Sequence, residues 1–242
     1  MKVYKKCGIT YIQPPWGTDF YPKGVDRFKV FEVAKKHGIS IDVIHFDYSQ
    51  SNKLWLEGPE GDNFIDTLTE RIRECVSRGI RIGVLHMTTC KDTPIPAVSA
   101  IGLSRVKRLV EFCEKHDFII AAENIDATPH QEYVLDNIKS KHLKMLFDIS
   151  HAHCKTKDEF HLFEKYNDRV ICTHLNNTWG DEDLHNSLDD GIIDFEKFFS
   201  LKSSVQYHLL EVAPHGITTA EQFKVFVRHN VELLKRYLVS TK

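Results

Sequence analysis

The six cysteines (Cys7, Cys75, Cys90, Cys113, Cys154 and Cys172) include no CxxC pair and no tight framework. Several fall in stretches patterned as helix or strand, where a thiol packs as a small apolar group. Reduced thiols in a cytoplasmic protein are therefore expected. Long apolar runs are also missing: none approaches the ~18 residues of a membrane span. The opening MKVYKKCGIT has no signal-type apolar region, so no membrane partner is expected. Neither sign of charge dominates. Lys and Arg number 32 against 34 Asp and Glu, for a net charge of −2 and a pI near 6.7. No broad basic field marks a nucleic-acid binder. The glycines match neither a P-loop nor GxGxxG, which lowers the case for a nucleotide cofactor. There is no GxSxG elbow, and the cysteines lack an activating context. No Ser/Gly/Pro-rich linker divides the chain, so one domain over residues 1–242 is expected.

What is present is an alternation of strand-like and helix-like runs. Strands are expected at 8–14, 40–46, 80–87, 118–124, 143–149, 170–175 and 207–212. Helices are expected at 26–37, 62–78, 103–115, 131–138, 158–166, 194–199 and 220–239. In RFKVFEVAKKH and RVKRLVEFCEKH the apolar positions recur at helical spacing and give each segment an inward face. Such alternation implies parallel strands with helical crossovers. At 242 residues the chain suits one α/β barrel, typically ~250 residues. The expected fold is a TIM (β/α) barrel. Seven strands are read where a closed barrel has eight, and MKVYKKCG reads as the tail of a helix. The barrel thus reads as lacking its first strand and most of its first helix. An uncovered parallel edge invites pairing, so a homodimer across the gap is a further expectation.

The runs share an ending. SIDVIH, IGVLH, IIAAE, KMLFD, VICTH and YHLLE each close on a residue that can bind metal. These are His45, His86, Glu123, Asp148, His174 and Glu211; His151, Asp183 and His185 follow in nearby loops. A lone strand-end histidine is usually a hydrogen-bonded rim residue, and a D-x-H pair in a polar loop is a weak signal. Carboxylates after apolar strands are more telling, because such groups are rarely buried unless paired or metal-bound. Crowded acids at a barrel mouth would repel strongly without a cation. An imidazole and carboxylate set without thiolate suits zinc, manganese, iron or cobalt, with magnesium also compatible. Trp16, Trp55 and Trp179 fall in expected loops. Each is either rim packing or an apolar wall for a sugar, with Trp16 and Trp55 the candidates for substrate contact.

With those residues in place, the chain resembles the xylose isomerase-like TIM-barrel superfamily, which includes sugar phosphate isomerases/epimerases and endonuclease IV (AP endonuclease family 2). The likeness is carried by HFDYSQSNKLWLEG, VLHMTT, GLSRVKRLVEFCEKH, AAENI, LFDISHAHC, THLNN, DLHNSLDDGIIDFEKF and LLEV. It implies a divalent-metal-dependent sugar or sugar-phosphate isomerase/epimerase. In that branch Glu123, Asp148, His174 and Glu211 would hold one cation (Zn, Mn, Co or Mg). Glu123 and Glu211 would also move protons beside a carbonyl, and His151 and His185 would bind substrate. The endonuclease branch implies instead a multinuclear zinc phosphodiesterase acting on abasic-site DNA. Its cluster would add His45, His86, His151, Asp183 and His185. A third possibility is an inactive relative of the barrel enzymes. NSLDDGIIDFEKF resembles the isomerase branch more than the nuclease loop, and Asn177 stands where Asp is usual in both.

Overall fold

A computed structural model describes residues 1–17, 26, 28–90, 94–125, 128–156, 160–180, 182–201 and 203–240. The expected helical positions 27 and 158–159, and Asp181, lie outside them. In chain order the first elements are α1 (Lys2–Lys6), β1 (Pro15–Trp16), α2 (Lys29–Lys36), β2 (Val43–Phe46), a 3-10 helix (Ser51–Trp55), α3 (Glu60–Ser77), β3 (Ile82–His86) and α4 (Ala100–His116). Then come β4 (Ile119–Glu123), α5 (Thr128–Asn137), β5 (Leu143–Asp148), α6 (Ile149–Thr156), α7 (His161–Lys165), β6 (Val170–Leu175), α8 (Phe195–Ser200), β7 (Tyr207–Leu210) and α9 (Ala220–Ser240). The seven strands follow one another in chain order, and β1–β2, β2–β3, β3–β4, β4–β5 and β6–β7 pair in parallel. This is the expected α/β architecture with seven parallel strands. No described helix is long and apolar enough to cross a membrane.

The chain forms two compact units. One comprises 13–30 and 41–146. Its strands β3 and β4 are almost entirely buried, as continuous apolar runs in a parallel sheet should be. Helix α3 buries Phe64, Ile65, Leu68, Ile72 and Cys75, and α4 buries Val106, Leu109, Val110 and Cys113, each set at helical spacing. Helix α4 starts at Ser99, whose hydroxyl accepts from Gly102 N at 3.2 Å, and it ends at Asp117 in the left-handed region. A Cβ on Gly102 would lie 2.3 Å from the Trp55 ring, so only glycine lets α4 approach that indole.

The other unit comprises 1–12, 31–40 and 147–242. Phe147, Phe163 and Phe198 form an aromatic cluster with centroids 5.0–5.9 Å apart. Helix α1 lies on α9 through Val3 and Tyr4 against Val227, Val231 and Phe223. The opening residues are thus helical, as their pattern implied.

The first strand departs from expectation. Residues 8–14 form no strand of their own beyond the Tyr11–Ser40 bridge and its flanking hydrogen bonds, and the paired strand is Pro15–Trp16. Pro14 and Pro15 have no N–H to donate, so the ladder there depends on carbonyls such as Pro14 O, which accepts from His45 N at 3.1 Å. All six cysteines are free thiols, and burial pushes those of Cys113 and Cys172 up to about 12.

Candidate active site

Within each unit, strand register explains why the metal-type residues stand at C-terminal strand ends. Parallel pairing aligns His45 with Val84, His86 with Glu123, and Glu123 with Leu146. Side chains alternate faces along a strand, so His86, two residues beyond Val84, shares a face with His45 and Glu123. Asp148, two beyond Leu146, keeps the same phase. In the β6–β7 pair, His174 aligns with Leu209, and Glu211 lies two residues further on. Every one of these residues sits at or just past the C-terminal end of its strand, the end at which barrel enzymes build their sites.

In the unit carrying β2–β4, two imidazoles converge on one carboxylate. His45 Nε2 and His86 Nε2 lie 3.0 and 2.9 Å from Glu123 Oε2, and Glu123 is only 1 % exposed. His45 Nδ1 is 2.8 Å from Phe46 O, a backbone contact that orients the ring so that Nε2 faces Glu123. Tyr48 stacks on His86 with centroids 4.0 Å apart and sets that ring's plane. Sequence reasoning missed Tyr48; its only signal was its position three residues after His45.

The other unit assembles Asp148, His174 and Glu211. Their ligand atoms lie within 4.8 Å of one another. His174 Nδ1 is 2.9 Å from Glu211 Oε2 and 3.6 Å from Asp148 Oδ2, and Asp148 and His174 are fully buried. Beside them Asp183 Oδ2 receives His151 Nε2 at 3.2 Å and His185 Nε2 at 2.9 Å. Ser150, also unread in the sequence, donates to Asp183 at 2.7 Å and lies 3.0 Å from Asp148 Oδ1. Burial would raise the Asp183 carboxyl, but hydrogen bonds from His151, His185 and Ser150 outweigh it and hold the group well below the usual carboxylate range. The Asp183 hydrogen bond raises His185 to about 9 against the opposing effect of burial.

The loop that supplies Asp183 and His185 is held by Asn177. Its Oδ1 accepts from Thr178 N and Ile193 N at 2.9 and 3.0 Å, and its Nδ2 donates to Leu188 O at 2.8 Å. A carboxylate there could not donate to Leu188, so the amide is needed for this set of hydrogen bonds. A Cβ on Gly191 would fall 2.2 Å from Asn177 Oδ1, so the close approach needs glycine. His185 adopts φ +51, and its Nδ1 is 2.9 Å from Glu211 O. A left-handed non-glycine residue is strained, and its surroundings must hold it there.

The donor set among the described residues, imidazole nitrogens and carboxylate oxygens without thiolate, is of a type that fits a divalent cation. Buried carboxylates so close to imidazoles cost solvation that a bound cation would offset. The tryptophans divide differently from expectation. Trp55 is 3 % exposed, donates Nε1–H to Met87 O at 2.6 Å and meets His130 edge-on. Trp16 is a strand residue with no exposure, packed against Phe28. Trp179 alone of the three is exposed, at 55 %, with its indole N–H given to Asp190.

A family model described as "Xylose isomerase-like TIM barrel" matches residues 1–221. No curated protein matches the chain. Among solved structures, an L-ribulose 3-epimerase superposes with TM-score 0.77 at 11% identity, covering 99% of this chain and 88% of that one. A D-tagatose 3-epimerase-like protein gives 0.74 at 19% identity over 96% and 89%. D-Psicose 3-epimerase from Clostridium cellulolyticum H10 gives 0.76 at 9% identity over 98% and 92%. At such identities the likeness is one of fold. The family match, running through nearly the whole chain and through the strand ends described above, is what places the sequence: the chain belongs to the xylose isomerase-like TIM barrel family.

Proposed function

We propose that the protein is a divalent-metal-dependent isomerase or epimerase acting on a sugar or sugar phosphate. The observation that carries this reading is the set of buried acids and imidazoles held in phase at the C-terminal strand ends. Family membership supports it, as does likeness to structures named as ketose 3-epimerases. Glu123, Asp148, His174 and Glu211 would hold the cation. A cation held there supplies Lewis-acid polarisation of a substrate carbonyl and its neighbouring hydroxyl. Glu123 and Glu211 would take and return the proton on the carbon beside the carbonyl, a task for a positioned carboxylate. His151 and His185, both half-buried, would bind and orient substrate hydroxyls. Purified protein given a divalent metal and a ketose should interconvert epimers, and Glu211→Gln should abolish turnover. Full activity in that variant would remove Glu211 from the chemistry.

A second reading is favoured by one specific feature. Two carboxylates are each flanked by a pair of histidines, Glu123 by His45 and His86, and Asp183 by His151 and His185. These are additional ligands suited to a multinuclear zinc site and to hydrolysis of a phosphodiester at abasic DNA. Elemental analysis separates the two: one ion per chain supports the isomerase, and three zincs with nicking of an abasic-site duplex support the phosphodiesterase.

A further inference from the structure

The segment after β2 and helix α3 line a half-open polar cavity of about 320 Å³ that includes none of the strand-end acids and imidazoles. That volume is at the small end of the range for metabolite pockets. Asp47, Gln50, Lys53, Glu60, Asn63 and Arg71 line it, with Phe64 and Thr67. Glu60, Asn63, Thr67 and Arg71 form one stripe along α3, at the three- and four-residue spacing that puts side chains on one helix face. Opposite stands the segment that follows β2, and its shape is fixed. Buried Arg105 donates to the carbonyls of Lys53, Leu54, Leu56 and Gly58 and pairs with Asp62 at 2.8 Å.

The charges are unevenly satisfied. Asp47 is turned towards Ser49 and accepts from its N–H at 2.8 Å and its hydroxyl at 3.1 Å. Arg71 Nη1 is buried and meets no acceptor among the described residues, and neither Arg71 nor Lys53 has an ion-pair partner among them. A buried cationic donor without an acceptor is costly. An anion with two or more oxygens is the natural complement of a guanidinium beside an ammonium. Gln50, Asn63 and Glu60 offer hydrogen-bonding groups for hydroxyls.

We propose that this cavity binds a small hydroxylated anion, a phosphate monoester or a carboxylate, with its charged head on Arg71 and Lys53. Isothermal titration with glycerol 3-phosphate and with glycerate tests this, since the two differ chiefly in the head group. At least one should bind, and the stronger identifies the head. Arg71→Gln and Lys53→Gln should each weaken binding by about tenfold or more, roughly 1.4 kcal/mol. Arg71→Lys should retain part of it, with unchanged circular dichroism in all three variants. Glu123→Gln, which alters the strand-end site, should leave binding intact. Binding by neither ligand, binding that survives Arg71→Gln, or binding abolished by Glu123→Gln would each overturn the proposal.

Discussion

The two units present metal-type residues in different ways. In the β2–β4 unit, His45, His86 and Glu123 all come from strands, and adjacent backbone ladders fix their relative heights. In the other unit, Asp148, His174 and Glu211 belong to strand ends, but Asp183 and His185 arrive on a loop. That loop is held by two amides, Asn177 and Asn230, and carries a histidine at positive φ. A ligand set placed by a sheet resists local change, whereas one placed by a loop depends on a few named hydrogen bonds.

The largest effect should come from Glu123→Gln, which keeps the shape of the side chain and removes its charge. On the proposed role of Glu123 in proton transfer, loss of turnover by about 10²- to 10⁴-fold is expected, together with weaker metal retention on dialysis. Activity within a few-fold of the parent would show that the sheet-borne set is dispensable.

Acid should separate the units next. Burial lowers His208 on β7 from 6.5 to about 4, and the ring packs against Thr173 Oγ1 at 2.9 Å and Phe199. The fold favours the neutral ring while the unfolded chain takes its proton near 6.5. Stability from this group is therefore complete above pH 6.5 and is lost as pH falls towards 4, by at most roughly 3 kcal/mol. Amide exchange should quicken in β6–β7 before β2–β4 over that window, and His208→Phe should remove the difference. Earlier loosening of β6–β7 that persists in the His208→Phe protein would assign the acid response to other groups.

Asn177→Asp should give the smallest change, about 1–3 kcal/mol, because Leu188 O loses its donor while the two N–H groups keep an acceptor. Chemical denaturation measures the cost. The loop-borne pair should suffer in particular: exchange protection at residues 182–193 should fall while that of β3 and β4 stays unchanged.

The fold was readable because parallel strands buried on both faces leave apolar runs that end abruptly in polar residues. β6 was bounded correctly at Val170–Leu175, and β5 overran by one residue. Helix α6 went unread because it starts at Ile149, directly after Asp148, with no turn residue between strand and helix. The 3-10 helix at Ser51–Trp55 is too short for a periodic signal. The prolines that shift β1 to Pro15–Trp16 act by removing hydrogen-bond donors, an effect apolar patterning does not register. Among the metal-type residues, the strand-end positions were legible from the ends of the runs, whereas the anchoring by Asn177, Ser150 and Tyr48 was not. Those contacts join residues distant in sequence or polar in a polar loop, where composition carries no direction. Trp55 misled for the converse reason: a large aromatic after a strand suits a rim and a core equally, and here Gly102 makes room for it inside.

The alignment of His86 opposite Glu123 sets a parity rule for the gene. Deleting a single codon within β3 would turn His86 to the far side of the sheet and part it from its carboxylate, even if the apolar run still packed. Removing two adjacent codons would shorten the strand yet return the imidazole to its original side. Tolerated length changes in this lineage should therefore fall in loops or come as even steps within strands.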